Sequence, residues 1–304
     1  MNSKNFSVIL FAVISFSWGE IWARPLRVVT TLPPLAWVVE RVGGDQVHVE
    51  SLLQGHEDPH YVDAMPSFVS KLVKADAVCF VGMELEDAWL PKVIERSGNL
   101  KIQSGAGGYC NLGLAVTVMD RPSLGADRSQ GHIHGGGNPH WYLSLQSLAE
   151  ASEAVKVLLK KLKPESASVF EKNQQDLRAQ IEGDLKQIKR LIPRDLRAME
   201  YHKEFSYLFR DWGLSSRGTV EEKPGVPPSA AGIARARDRI QAEAIQLVLA
   251  TKAQSQKILQ AVTSQTEARI LQLDPMPTSS LDPLEYNRKL AEALTKQADQ
   301  KTVQ

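Results

Sequence analysis

Cysteine is nearly absent: Cys79 and Cys110 are the only two in 304 residues. Two thiols cannot build a disulfide scaffold or a four-cysteine zinc site, so any metal must be held mainly by histidines and carboxylates. Net charge is nearly absent as well, because 36 Lys and Arg face 35 Asp and Glu to leave +1. The chain as a whole therefore has no electrostatic reason to seek nucleic acid, an anionic membrane or a polyanionic substrate. Glycine and proline number only 20 and 16, too few for a fibrous or disordered chain. A membrane-spanning run is missing too. The apolar stretch from Phe6 to Trp18, behind the single charge of Lys4, is too short for a stable anchor and has the length of a signal-peptide core.

Hydrophobic residues make up 43% and charged ones 23%, a balance that suits a packed soluble protein, and the length points to two globular units. The leader is assigned to residues 1–23, with cleavage after Ala23 or, in competition, after Gly19. No cysteine lies near either point, so the expected mature protein is soluble in the periplasm, without a lipid on an N-terminal Cys. In that compartment Cys79 and Cys110 could form one disulfide, or Cys79, within the apolar run Ala77 to Val81, could be a buried thiol.

From Leu26 onward short β-branched runs alternate with amphipathic segments: LRVVTTL, helical PPLAWVVERV, VHVESLL, helical MPSFVSKLVK, DAVCFVG, helical DAWLPKVIERS and LKIQS. Such alternation predicts an α/β lobe with a parallel sheet. After residue 193 the series repeats: DLRAMEY, helical FSYLFRDWGL, SRGTVE, helical SAAGIARARDRIQAEA, IQLVLAT, helical SQKILQAVTSQT, ARILQLD, and a closing helix from Pro283 to about Lys296. Between the two series Phe170, Leu177, Ile181, Leu185, Ile188 and Ile192 recur at helical spacing after Pro164. At about 1.5 Å per residue, a helix over 164–192 is roughly 42 Å long, enough to link two lobes, 24–163 and 193–304.

Four segments carry potential metal ligands: GHEDPHYVDAMPS with His60, GGGNPHWYLSL with His140, MEYHKEF with His202, and LQLDPMP with Asp274. His60, His202 and Asp274 follow predicted strands, at the sheet ends where open α/β folds bind ligands. The four residues are 80, 62 and 72 positions apart, so only the tertiary fold can assemble them. A site using both lobes lies in the cleft between them. Residues 131–140 form a glycine-rich loop holding three of the seven histidines; His132 and His134 there are either solvated or an auxiliary capture site. Three imidazoles and a carboxylate suit zinc, whereas manganese prefers more oxygen and stays possible.

A competing reading comes from HEDPH, residues 56–60, which satisfies the H-E-x-x-H pattern of zinc-dependent metallohydrolases with Glu57 as general base. That motif needs a helix. Pro59 inside one would cost about 3 kcal/mol or more, and a helix opened by Pro59 would exclude His56.

The segments DPHYVDAMPS, NPHWYLSL, YHKEFSYLFRDWGL, EEKPGVPPS and LDPMP, in this order behind a leader, resemble the metal-binding solute-binding proteins of zinc and manganese ABC importers, most of all the zinc-uptake branch. The resemblance spans essentially the whole mature chain. It implies two Rossmann-like lobes joined by one long helix, metal ligands at His60, His140, His202 and Asp274, and no enzymatic activity. It also implies delivery of bound Zn2+ to an ABC permease, the only membrane contact, by a monomer that binds no nucleic acid. Where relatives commonly read Trp-Leu-Asp-Pro after the second Pro-His, this chain has Ser144, which would cap the next helix. Glu221 and Glu222 belong to a signature expected to shape the cleft rather than bind metal.

Overall fold

The computed structural model describes residues 24–123 and 134–299. The leader assigned to residues 1–23, and His132, lie outside the described residues. The first lobe runs β1 (Leu26–Thr30), α1 (Pro33–Gly43), β2 (Val47–Ser51), α2 (Pro66–Leu72), β3 (Ala77–Phe80), α3 (Leu90–Ser97), β4 (Tyr109–Asn111) and α4 (Leu145–Leu162). After α5 (Ala167–Leu191) come β5 (Ala198–Glu200), α6 (Ser206–Trp212), β6 (Ser216–Thr219), α7 (Ala230–Ala242), β7 (Leu247–Thr251), α8 (Gln256–Thr263), β8 (Arg269–Leu273) and α9 (Pro283–Asp299). Both sheets are parallel and share one order, β2-β1-β3-β4 and β6-β5-β7-β8. The architecture therefore repeats, as the alternating pattern predicts.

Local chemistry accounts for the element ends. Pro33, Pro66 and Pro91 stand in the first turns of α1, α2 and α3, where a missing N–H is harmless. The Ser144 side chain accepts from the Ser147 N–H and caps α4, as its place after Leu143 suggests, and Asp282 Oδ1 accepts from the Glu285 N–H at 2.8 Å to cap α9. The strand expected at 100–104 does not form. There Asn99 donates to the Leu72 and Ala75 carbonyls while accepting from the Lys101 N–H, and Gln103 donates to Ile94, so side chains satisfy a turn instead. The strand starts later, at Tyr109. Gly108 makes this possible, since a Cβ there would sit 2.2 Å from the Asp76 carbonyl oxygen.

One turn of 3-10 helix, Pro164–Ser166, leads into α5, so the connecting helical segment spans the predicted length. Phe170, Leu177, Ile181 and Ile188 bury one face of it. That face packs on α1 and α4 of the first lobe and on α6 and α9 of the second. A single apolar core runs from β1 and β3 through α4 and α5 to Tyr207, Phe209, Tyr286 and Leu290. A smaller one, around Met199, Val248, Ile240 and Leu259, lies in the second lobe. Polar bonds cross the same junction. Ser144 Oγ donates to Asp211 at 2.8 Å, Tyr207 Oη donates to the Asn138 carbonyl at 2.8 Å, and Asn287 donates to the Leu143 carbonyl at 3.3 Å. The lobes are joined by a continuous core, not by a bare strut.

Cys79 and Cys110 are both buried free thiols, in register on neighbouring strands β3 and β4. Among the described residues no helix is long and apolar enough to cross a membrane.

Candidate metal centre between the lobes

His60 and His140 are presented by the same local device. In Asp58-Pro59-His60 the Asp58 Oδ1 accepts from the His60 backbone N–H at 3.0 Å and from its Nδ1 at 2.8 Å. In Asn138-Pro139-His140 the Asn138 Oδ1 accepts from the His140 N–H at 3.0 Å and from its Nδ1 at 2.8 Å. The intervening proline has no N–H of its own and a fixed φ, so the Asx side chain closes a two-residue turn onto the histidine. His202 follows β5 and is held from farther away: its Nδ1 donates to Glu221 Oε2 at 2.8 Å, and the same oxygen accepts from the Gly225 N–H at 2.8 Å.

All three acceptors are oxygens. Asp58 and Glu221 can only accept as carboxylates, and the Asn138 atom must be oxygen because it also receives a backbone N–H. Each Nδ1 therefore carries a proton, and in the neutral ring the lone pair is on Nε2. Fixing the tautomer through an outer oxygen is how proteins orient metal-binding imidazoles. Residue type and position point to the three histidines but not to Asp58, Asn138 and Glu221, which orient them. The repeated Asx-Pro-His spelling was a legible signal for the first two; Glu221 had none beyond its place in EEKPGVPPS.

The fold brings the three rings together. Ring centres are 5.1 Å apart for His60–His140, 5.4 Å for His140–His202 and 6.3 Å for His60–His202. With Zn–N of about 2.0–2.1 Å and ring centres roughly 1.1 Å farther out, three imidazoles on a tetrahedral ion would be about 5.2 Å apart. Two pairs match that spacing and the third is wide by about 1 Å. Consistent with this gap, no group of three or more His, Cys, Asp or Glu among the described residues stands at coordinating spacing as it is. His60, His140, His202, Tyr142, Glu204 and Gln254 line a cavity of about 150 Å³.

Asp274 is engaged by other side chains, although the next residue, Pro275, lines the same cavity. The aspartate follows β8 directly, but its carboxylate accepts from Lys252 Nζ at 3.0 Å through both oxygens and lies 3.8 Å from His56 Nδ1. The His134 ring centre is 5.3 Å from that of His60. The three glycines after it let the chain pass tightly. A Cβ on Gly136 would meet Met83 at 3.1 Å, and one on Gly137, at φ +111, would meet Val118 at 2.3 Å.

Burial, with the neighbouring His60, His202 and His134, pushes the His140 imidazole well below the usual range, so the ring is neutral at pH 7. Burial also opposes charge on His202, but the Glu221 hydrogen bond and the charges of Glu204 and Glu221 outweigh it and raise its value. Glu204 is fully enclosed, and burial lifts its carboxyl to about 7. Asp58, Glu204 and Glu221 give the cavity an acidic wall, a field that draws cations.

The HEDPH segment is not helical. Glu57 accepts from the backbone N–H groups of Gln54, Gly55 and His56, and the His56 side chain is 70% exposed. Glu57 closes a turn with these bonds, and without a helix the two-histidine face of the metalloprotease motif does not form.

Comparison with known proteins gives the family and the fold. Residues 28–298 match the family described as "Zinc-uptake complex component A periplasmic", ZnuA. The manganese-binding lipoprotein MntA of Bacillus subtilis is 25% identical over 222 residues, 70% of this chain and 68% of its own. The metal ABC transporter substrate-binding lipoprotein FimA of Streptococcus parasanguinis is 24% identical over 235 residues, 73% and 72% of the two chains. A crystal structure of ZnuA superposes with a TM-score of 0.73 at 22% identity, over 90% of this chain and 98% of that one.

Proposed function

Because the chain belongs to the ZnuA family of metal ABC-transporter substrate-binding proteins, we infer that it captures zinc in the interlobe cavity on His60, His140 and His202 and hands it to a membrane permease. Members of this family bind and deliver a metal ion as cargo and are not enzymes. The observation that carries the zinc reading is the donor set: three imidazoles from both lobes, each with its Nδ1 bonded to an oxygen. The carboxylates of Asp58 and Glu221 are engaged in those bonds, which leaves the site richer in nitrogen than manganese favours. The fourth ligand expected from the sequence, Asp274, is bonded through both oxygens to Lys252 in this structure.

Capture draws His60 and His202 about 1 Å closer. The shared core limits wider hinge motion, so release follows from a disturbance of the ligands on docking rather than from opening of the lobes. The working form is a periplasmic monomer freed from its leader. The test is metal content of protein purified without added metal, followed by a zinc–manganese competition. Zinc retained at equal free concentrations is the expected result; preferential manganese retention would refute the zinc assignment.

A further inference from the structure

Three neutral imidazoles bring no charge to offset a divalent ion, and the obvious carboxylates around them are engaged. Asp58 is on His60, Glu221 on His202, Asp274 on Lys252, and Asp120 on Lys203 at 2.7 Å. Glu204 differs. It is buried at 6% exposure, and no Lys or Arg is paired with it among the described residues. Its N–H donates to the His202 carbonyl at 2.8 Å, a three-residue turn that brings the side chains of 202 and 204 to one cavity with His60 and His140. Its Oε1 accepts from Gln254 Nε2 at 2.6 Å. Gln254 is fixed in turn: its side-chain oxygen accepts from the Thr251 N–H and its N–H donates to the Thr251 carbonyl at 3.0 Å. A residue of the loop after β7 therefore orients the carboxylate.

A buried carboxylate oriented by a neutral amide and lining the same cavity as the three imidazoles keeps lone pairs for a cation. Its charge balances a divalent ion between the three rings. We propose that Glu204, rather than Asp274, supplies the carboxylate that completes the His60–His140–His202 site. The inference rests on the metal reading above, and it makes residue 204 a determinant of affinity that the ligand spacing in the sequence does not reveal.

The test uses the full mature chain with zinc in competition against a chromophoric chelator, cobalt substitution followed by visible absorption, and melting of the metal-free form. Glu204→Gln, nearly isosteric, should weaken zinc by at least about tenfold, change the cobalt spectrum, and melt no lower without metal. Asp274→Asn should stay within about threefold of the parent. Glu204→Asp, which keeps the charge but shortens the reach, carries the same test if the amide variant does not fold. The proposal is overturned if Glu204→Gln binds zinc like the parent. It is also overturned if Asp274→Asn or His134→Ala takes the loss instead, or if the cobalt spectrum of Glu204→Gln is parental. His140→Ala separates the two levels of the argument: if that variant also binds like the parent, the site itself is wrong and not only its carboxylate.

Discussion

Asn138 offers the sharpest test of the tautomer argument, because its two ends do different things. Its Oδ1 accepts two bonds from His140, the backbone N–H at 3.0 Å and Nδ1 at 2.8 Å. Its Nδ2 donates to the Lys203 carbonyl at 2.9 Å, across the lobes, and to Asp120 Oδ2 at 3.1 Å. Asn138→Ala removes all four. At about 0.5–1.5 kcal/mol each, the metal-free fold should lose about 2–6 kcal/mol. Loss of the acceptor on Nδ1 should further weaken zinc by about 10–100-fold, or about 1.4–2.8 kcal/mol. Asn138→Asp separates the two effects. It keeps the acceptor, reproducing the Asp-Pro-His turn that the chain uses at His60, but loses the donors and sets a carboxylate beside Asp120. It should therefore melt lower without metal yet bind zinc within a few fold of the parent. Melting in the presence of EDTA and a chelator competition at pH 7 measure the two quantities. Equal loss of zinc affinity in both variants would refute the view that an oxygen on Nδ1 prepares the ligand.

Further outcomes follow from other named contacts. Since the His202 value is raised above that of a free imidazole, its charged form supports the metal-free fold below about pH 6.5, and that support is lost as pH rises through the raised value. Glu221→Ala should therefore lower the metal-free melting temperature more at pH 6 than at pH 9, and an equal loss at both would refute the pairing. Burial works against charge on Asp76, but hydrogen bonds from Arg24, Lys101 and the Arg27 N–H hold its carboxyl far below the usual range. The stability it contributes is present above about pH 3.8 and lost on acidification. Asp76→Asn should cost about 1 kcal/mol at pH 7, since both cationic partners are well exposed, and less at pH 3, where the support has begun to fall but the folded carboxyl is still ionised; chemical denaturation at the two pH values checks this. Glu57→Ala should leave zinc affinity unchanged and slightly loosen the turn at residues 54–57. A tenfold loss of zinc in that variant would revive the HEDPH site.

How much was legible in the sequence depended on whether a signal was local. The strands β3 and β7 are largely apolar runs buried on both faces, β1 ends in a buried Val-Val-Thr, and α5 carries an apolar stripe, so the pattern alone places them. LKIQS misled because a buried Ile102 in an apolar-polar alternation looks like a strand, while the turn depends on Asn99 reaching carbonyls 24 and 27 residues away. The histidines were legible because each sits beside a turn signal or a strand end. Asp274 has the same kind of position, yet Lys252, 22 residues earlier, holds its carboxylate in this structure. Glu204 was invisible, since a glutamate two residues after a histidine in a loop ordinarily faces water; only the packing of Gln254 from another loop shows it turned inward.

The difference between local and distant support also separates the two sides of the site. His60 and His140 are held by atoms two residues away, in turns closed by proline, so disturbing them requires unmaking the turn itself. His202 depends on Glu221, 19 residues away, whose oxygen is shared with the Gly225 N–H. Gly225 has φ +73 and lines the cavity, and Val226 beside it is 45% exposed. A partner that presses on the 221–226 loop therefore acts on Glu221 and through it on the His202 ring, with no need to separate lobes that share a core. On the function proposed above, binding would tighten the pair with the widest ring spacing, His60–His202, and release would loosen the same pair from the side whose support comes from 19 residues away.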